Sequence, residues 1–262
     1  MIDHEVRVIT PGVKEALKNK LSSETILNKK ISFSGIKKKF FIKSYENYLK
    51  GAKKVKGILI RGLPINNKKI YFDQENSLLE TSKIILRNIK RKLIIKQIIQ
   101  IPNPDIINLK DFENLISKKK NIAGFELISS WHNKNTDEKK YFKFYSLINE
   151  INLPLSIEVD YFFRKSKNSI YRFYNLIRYF PNIEYWLPHL GCGIFLHWNK
   201  IISICSKKPS LLTSTSNIDS WLKILNLNNF KDIPLKYATD HPFNLSSSLK
   251  IYNSCLKLKH RL

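Results

Sequence analysis

Three side chains that could transfer protons or bind ions follow or end apolar runs in this sequence. His189 follows a run that ends at Leu187 and precedes Gly191, and Asp240 follows the run Lys-Tyr-Ala-Thr. Glu158 follows Leu-Pro-Leu-Ser-Ile, where a carboxylate is costly to bury without a partner. If these runs are strands whose ends converge, the three residues predict a site for acid/base chemistry.

Each of the three residues also has a structural interpretation. His189 could be a loop histidine that makes local hydrogen bonds, and Asp240 could cap the helix that follows it. Glu158 could form a structural ion pair with Arg164 or Arg7. The sequence leaves these alternatives open.

The elements that would position these residues alternate in type from residue 55 onward, which is typical of parallel βα units. Eight runs rich in apolar and β-branched residues predict strands, and helical spacing of apolar residues predicts helices between most of them. The predicted strands are Glu5–Ile9, Lys56–Arg61, Leu93–Ile101, Ile122–Ser129, Leu153–Val159, Ile183–Leu187, Ser210–Ser216 and Lys236–Thr239. We therefore predict an α/β protein with a single (β/α)8 TIM barrel over residues 1–262.

The predicted helices cover most of the connections between strands. They span Asn76–Lys90, a segment beginning near Asp111, Lys139–Ile151, Asn168–Tyr179, Asp219–Leu225 and a segment beginning near Ser246. Residues 13–54 are rich in lysine and show no clear period, so we interpret them as an extended first connection.

The net charge of +25 comes from 46 Lys and Arg residues against 21 Asp and Glu residues. Such a charge would suit a polyanionic partner, but the lysines are spread along the chain together with many Ile and Asn residues, a composition that an A/T-rich genome would also produce. The basic clusters lack the interleaved Arg, Gly and aromatic residues of a dedicated RNA-binding strip. We therefore do not expect nucleic-acid binding.

Cysteine content and hydropathy indicate a cytoplasmic protein. Cys192, Cys205 and Cys255 form an odd set without paired spacing, which favours neither a disulfide framework nor a zinc ribbon. We expect no secretory leader and no membrane span, because charged residues interrupt every long apolar stretch. The oligomeric state is open, a homo-oligomer included.

Three motifs resemble the amidohydrolase-related family of barrels, which includes the ACMSD-type decarboxylases and related hydrolases. Tyr-Phe-Pro-Asn-Ile-Glu running into Pro-His-Leu-Gly, residues 179–191, is similar to the family's sixth-strand motif. Ala-Thr-Asp-His-Pro-Phe, residues 238–243, is close to its eighth-strand motif, and Leu-Pro-Leu-Ser-Ile-Glu, residues 153–158, follows its fifth-strand motif except at the last position. Their order and spacing also fit.

The resemblance implies a site at the C-terminal ends of the strands, where family members hold a divalent metal with histidines and an aspartate. His189 then matches the family's acid/base histidine, and Asp240 matches its eighth-strand aspartate, which binds metal or acts as a base. Glu158 stands in place of the fifth-strand histidine, and Glu126 falls at a fourth-strand position that often holds a polar ligand.

The opening Ile-Asp-His-Glu-Val-Arg resembles the family's first-strand motif, but Glu5 and Arg7 stand where its two histidines belong. Arginine stays protonated and offers no lone pair to a metal. We expect Arg7 to repel a cation and to pair with Asp240 or Glu158, or to clamp a substrate carboxylate. A site of Glu5, Glu158 and Asp240 would suit Mg²⁺ or Mn²⁺ better than Zn²⁺, and the metal could also be absent.

Two functions remain on this basis. The first is a hydrolase or decarboxylase that acts on a small carboxylate, lactone, ester or amide, with His189 and Asp240 as catalytic residues. Arg7, His132 and His241 would then contact the small-molecule substrate. The second is a non-catalytic or metal-free relative that binds a ligand or a partner protein, which the two lost histidines favour.

Overall fold

Eight parallel strands in sequential order form the central sheet of this computed structural model. The structure describes residues 1–18, 40–159, 169–215, 217–227, 232–243 and 247–258. The strands are β1 Ile2–Arg7, β2 Gly57–Arg61, β3 Ile94–Gln100, β4 Ile122–Leu127, β5 Leu155–Ile157, β6 Tyr185–Leu187, β7 Ser210–Leu212 and β8 Leu235–Lys236.

The chain that follows β8 returns to β1 and closes the barrel. The backbone N–H of His4 donates to the Tyr237 carbonyl (2.8 Å) and that of Arg7 donates to the His241 carbonyl (2.7 Å). A parallel bridge joins Val6 and His241. The predicted (β/α)8 TIM barrel is confirmed.

Helices alternate with these strands on the outside of the barrel. They are α1 Pro11–Lys18, α2 Ile42–Gly51, α3 Lys68–Leu86, α4 Leu109–Ser117, α5 Phe142–Ile151, α6 Ile170–Tyr179, α7 Trp198–Ile202, α8 Ile218–Leu227 and α9 Ser248–Leu256. Among the described residues, no helix is both long enough and apolar enough to cross a bilayer.

The start of α3 shows why boundaries differ from the prediction. The helix begins at Lys68, before the predicted Asn76, because the Asn67 side chain accepts a hydrogen bond from the Ile70 N–H (3.1 Å) and caps the helix. Ile70 and Tyr71 of its first turn are buried. The segment between Lys68 and the predicted start at Asn76 is therefore helical, although its sequence was interpreted as a polar insert.

The described part of residues 13–54 belongs to the connection between β1 and β2, as expected, but it also contains α2 and most of α1, which were not predicted. Tyr45 and Tyr48 of α2 are buried, and the Tyr45 hydroxyl donates to the Arg7 carbonyl (2.6 Å). The Tyr48 hydroxyl donates to Asp3 Oδ2. These contacts fix β1, which begins at Ile2 rather than at the predicted Glu5.

The barrel interior changes from apolar to polar along the strands. Leu59, Ile98, Trp186, Leu212 and Ala238 form a buried apolar cluster in the interior. Nearer the C-terminal ends of the strands, the inward positions hold buried polar and charged side chains: Arg61, Gln100, Glu126 and Ser156. The polar end therefore rests on a packed apolar base.

The turn after β2 is held by one side chain of α3. Gln74 Nε2 donates to the Leu63 carbonyl (2.8 Å), and the Leu63 N–H donates to Gln74 Oε1 (2.9 Å). A Cβ on Gly62 would lie 2.3 Å from Gln74 Cδ. Gln74 is fully buried and could move away only by giving up both hydrogen bonds, so the turn requires glycine.

We expect Gly62→Ala to lower the free energy of unfolding by about 1–3 kcal/mol, because the added methyl overpacks a closed site. Chemical denaturation of the purified protein measures this change. Gly12→Ala in α1 is the matched control, since its Cβ would lie 3.6 Å from the nearest atom, Asp73 Cβ. Equal stability of the two variants would contradict this account of the turn.

Candidate active site at the C-terminal end of the barrel

The guanidinium group of Arg7 lies among three carboxylates at the C-terminal end of the barrel. Nε donates to Asp240 Oδ1 (2.9 Å), Nη1 to Glu126 Oε2 (2.9 Å) and Nη2 to Glu5 Oε1 (3.1 Å). Nη1 also donates to the Gly62 carbonyl (3.3 Å) and Nη2 to Glu126 Oε1 (3.2 Å). All five N–H groups of the guanidinium therefore have protein acceptors. The predicted pairing of Arg7 with Asp240 is present.

A second arginine, Arg61, also bonds to this cluster. Arg61 at the end of β2 is fully buried; its Nη1 donates to Glu126 Oε1 and to Ser156 Oγ (3.3 Å), and its Nη2 donates to the His4 carbonyl. Burial acts to raise the pKa of Glu126, but Arg61 and Arg7 together lower it to about 2. Glu126 is therefore ionised and joins the two guanidinium groups.

The charge of Arg7 is fixed by the same contacts. Burial acts to lower the pKa of its guanidinium, but Glu126, Asp240 and Glu5 raise it by more. Arg7 thus remains a permanent buried cation, and Phe243 covers it with its ring centroid 5.9 Å from Cζ.

A cavity of about 250 Å³ opens beside this cluster. Its polar lining includes Glu5, Glu158, His189 and Asp240, and its apolar lining includes Trp131 and Phe243. The four polar residues come from the ends of β1, β5, β6 and β8, which lie far apart in the sequence. The structure therefore brings together the residues that the strand-end patterns indicated.

His189 lies just beyond β6 with its side chain held by the chain after β7. Nδ1 bonds to the Ser214 carbonyl, and the His189 N–H donates to Ser214 Oγ (3.2 Å). A carbonyl only accepts, so Nδ1 carries the proton and Nε2 is the basic nitrogen of the neutral ring. Burial acts to lower the pKa of His189, but Glu5, Asp240 and Glu158 raise it by more.

The pKa of Asp240 is set by its burial and by the charged groups around it. Burial and the Glu5 carboxylate raise its pKa to about 6, although Arg7 and His189 act in the opposite direction. The backbones of Asp240 (φ 50°) and His189 (φ 55°) both lie in the left-handed region, which is unfavourable for residues other than glycine. Both residues are thus held in strained conformations at the cavity.

Two carboxylate groups of the cavity have spare acceptors. Glu5 is fully buried and its Oε2 has no hydrogen-bond partner among the described residues. Glu158, which is half-buried, accepts no hydrogen bond within the part of the chain that the structure describes. Arg164, its alternative partner, lies outside the described residues.

The two other histidines considered from the sequence lie away from the cavity lining. His132 is buried, with Nδ1 2.7 Å from the Tyr141 hydroxyl, and burial lowers its pKa to about 4. His241 is buried against the rings of Tyr45 and Tyr48, with Nδ1 3.0 Å from Ser248 Oγ. These contacts give both residues packing roles, and the structure does not bring them to the same cavity as His189.

The residues predicted as metal ligands do not fit a divalent metal in this arrangement. Glu5 and Asp240 both bond to Arg7, whose cationic group lies between them. Among the described residues, no three His, Cys, Asp or Glu side chains are arranged to hold a metal ion. A divalent cation would have to displace a guanidinium that already bonds to three carboxylates.

Sequence reasoning overlooked Arg61, which pairs with the fourth-strand Glu126. The signal was present, because Arg61 ends the apolar run Gly-Ile-Leu-Ile and a buried charge at a strand end needs a partner. The same rule had selected Glu158.

Solved structures that are similar to this chain include decarboxylases and a probable hydrolase. The apo form of the IDCase of Metarhizium anisopliae aligns with a TM-score of 0.67 at 10% identity, covering 99% of this chain and 91% of that one. The 5-carboxyvanillate decarboxylase of Sphingomonas paucimobilis aligns with a TM-score of 0.62 at 12% identity, covering 96% and 91%. These identities show a shared fold.

A hydrolase has the same fold. A probable 2-pyrone-4,6-dicarboxylic acid hydrolase of Acinetobacter baumannii aligns with a TM-score of 0.58 at 13% identity, covering 99% of this chain and 93% of that one. The 5-carboxyvanillate decarboxylase of Novosphingobium aromaticivorans, similar at 12% identity, was solved with manganese. No family model and no curated protein matches the sequence. The predicted resemblance to amidohydrolase-related barrels is confirmed at the level of the fold.

We expect Arg7→Met to lower the free energy of unfolding by about 3–5 kcal/mol, because it leaves buried carboxylates without their cation. Arg172→Met is the matched control: Arg172 pairs with Asp137 (2.9 Å) but is 35% exposed, so its loss costs about 1 kcal/mol or less. Denaturant titration of both variants makes the comparison. A loss for Arg7→Met no larger than for Arg172→Met would contradict a buried ion cluster.

We expect the imidazole pKa of His189, followed by NMR, to lie above 6.5 and to fall in Glu158→Gln, which removes one of the charges that raise it. Because the folded pKa is raised, protonation of His189 stabilises the fold fully below about pH 6.5 and this contribution is lost as the pH rises through the folded value. Glu150→Gln, on an exposed position of α5, should leave the pKa unchanged. A His189 pKa at or below 6.5, or one insensitive to Glu158→Gln, would exclude this electrostatic coupling.

Proposed function

We propose that this protein is a hydrolase of small esters, lactones or amides that works by acid/base chemistry at His189 and Glu158, without a metal held by Glu5, Glu158 and Asp240. The observation that carries the proposal is His189, whose ring is oriented by Ser214 and lies at an open cavity beside carboxylates that raise its pKa. An oriented imidazole beside carboxylates in a cleft is typical of acid/base sites.

In this proposal, each polar residue of the cavity has a separate role. Protonated His189 donates a proton to the departing oxygen or nitrogen of the substrate. Glu158, whose carboxylate accepts no hydrogen bond from the described residues, takes a proton from the attacking water. Asp240 and Glu5 hold the positive charge of His189, and Arg7 keeps Asp240 in position through its 2.9 Å bond.

The charges of the cavity favour hydrolysis over decarboxylation. The substrate of a decarboxylase carries a carboxylate, and Glu5, Glu126, Glu158 and Asp240 would repel it. All N–H groups of Arg7 already have protein acceptors, so the carboxylate clamp expected of Arg7 would require breaking buried ion pairs. A substrate without negative charge avoids both costs.

The backbone at the site also supports a functional role. His189 and Asp240 keep positive φ angles, each at a cost of about 1–3 kcal/mol, and such strain clusters at active sites. The two residues are not neighbours in sequence, yet both project into one cavity. This is support from geometry alone, independent of the charges.

The alternative is a barrel that binds a ligand without turnover. The observation that favours it is the satisfied guanidinium of Arg7 at the position where the family places its first-strand metal ligands. In that case the cavity would bind a small molecule and release it unchanged.

A hydrolysis screen with chromogenic esters, lactones and anilides, run with and without EDTA, tests the proposal. We expect EDTA to have no effect, and His189→Gln to lower kcat/KM about 10²–10⁴-fold, the range lost with a general acid. Glu158→Gln should lower it as well, whereas Glu150→Gln, the same substitution at an exposed site, should not.

Activity that disappears with EDTA and returns with Mn²⁺ would overturn the metal-independent mechanism. Saturable ligand binding without turnover of any substrate would favour the binding alternative.

A further inference from the structure

We propose that the cavity recognises a protonated amine, so that its ligand is a small organic cation. The inference rests on the proposed function only in taking this cavity as the substrate site. It follows from three observations on the described residues: unpaired acceptors, an excess of carboxylates and an aromatic wall.

The first observation concerns Glu5 Oε2. Glu5 lines the cavity and is fully buried; its Oε1 accepts from Arg7, and its Oε2 has no hydrogen-bond partner among the described residues. An ionised carboxylate oxygen that is removed from water and left unpaired is costly. A ligand that donates a hydrogen bond at this position would remove that cost.

The second observation is the balance of charge. Four carboxylates, those of Glu5, Glu126, Glu158 and Asp240, line the cavity, whereas Arg7 is the only arginine or lysine among the described lining residues. Buried Arg61, which bonds to Glu126, supplies a second cation. Even when His189 is counted as a third cation, the carboxylates exceed the cations by one charge, so a cationic ligand would bring the site closer to neutrality.

An ammonium group fits this arrangement better than either a metal ion or an anion. A divalent metal needs several ligands around one point, and the described residues do not form such a group. An ammonium group makes separate hydrogen bonds to separate oxygens. Glu5 Oε2 and the Glu158 carboxylate offer such oxygens, whereas an anion would find no unused guanidinium N–H on Arg7.

The third observation is the apolar part of the cavity lining. Trp131, Phe243 and Ile128 contribute to the lining, so a ligand that presents an ammonium group to the carboxylates would place an apolar body against these side chains. Aromatic faces also attract a nearby cation. The cavity volume of about 250 Å³ limits the ligand to a small amine, such as an aminoalkyl or benzylamine derivative.

Isothermal titration calorimetry with three probes of matched shape tests this inference: benzylammonium, benzyl alcohol and benzoate at neutral pH. We expect benzylammonium to bind about tenfold more tightly than benzyl alcohol, and benzoate to bind most weakly, because a close charge pair in a binding site contributes about this factor where it is net favourable. Glu158→Gln should weaken benzylammonium about tenfold and leave benzyl alcohol unchanged. The matched control Glu150→Gln should leave both unchanged.

Benzoate or benzyl alcohol binding as tightly as benzylammonium, an equal effect of Glu158→Gln on the charged and neutral probes, or no saturable binding of benzylammonium would each overturn the inference. Its failure is distinguishable from failure of the proposed function, because calorimetry needs no turnover. If esters are hydrolysed but benzylammonium does not bind, only the ligand class is wrong. If benzylammonium binds but no substrate is hydrolysed, the ligand class stands and the hydrolase does not.

Discussion

The buried ion cluster around Arg7 is the interaction on which the C-terminal end of this barrel depends. One guanidinium group bonds to carboxylates from β1, β4 and the chain after β8, so it joins strands on opposite sides of the closure. Burying this many charges is tolerated only because every guanidinium N–H has an acceptor. This cluster holds Glu5 and Asp240 in position. These two carboxylates in turn raise the pKa of His189.

A cation fixed by the protein limits the chemistry that this barrel can perform. A metal site presents open coordination positions to water and substrate, whereas Arg7 has no free N–H to present. In the proposed function, the chemistry therefore lies with His189 and Glu158, which also line the cavity. Their proposed acid/base roles, together with the surplus of carboxylates, make a neutral or cationic substrate more compatible with the site than an anionic one.

Features that depend on a short stretch of sequence could be predicted, whereas features that depend on contacts between distant segments could not. Strand-end positions of His189, Asp240 and Glu158 could be predicted, because apolar runs in a parallel barrel end at one face and the motif order fixed the strands. The pairing of Arg7 with Asp240 could be predicted from charge, and Glu126 was predicted as a fourth-strand candidate, but its bonds to both Arg7 and Arg61 depend on strand register. The packing of His241 between Tyr45 and Tyr48 could not be predicted, since α2 has no clear sequence period.

The central claim is that Arg7 is the resident cation of the site, and elemental analysis of metal content tests it most directly. The protein would be purified without chelator or affinity nickel, incubated with Zn²⁺, Mn²⁺ or Mg²⁺, desalted and analysed for elements, together with Asp240→Ala. The account predicts far less than one metal ion per chain in both proteins, with no difference between them. Near-stoichiometric metal in the unmodified protein that disappears in Asp240→Ala would contradict it.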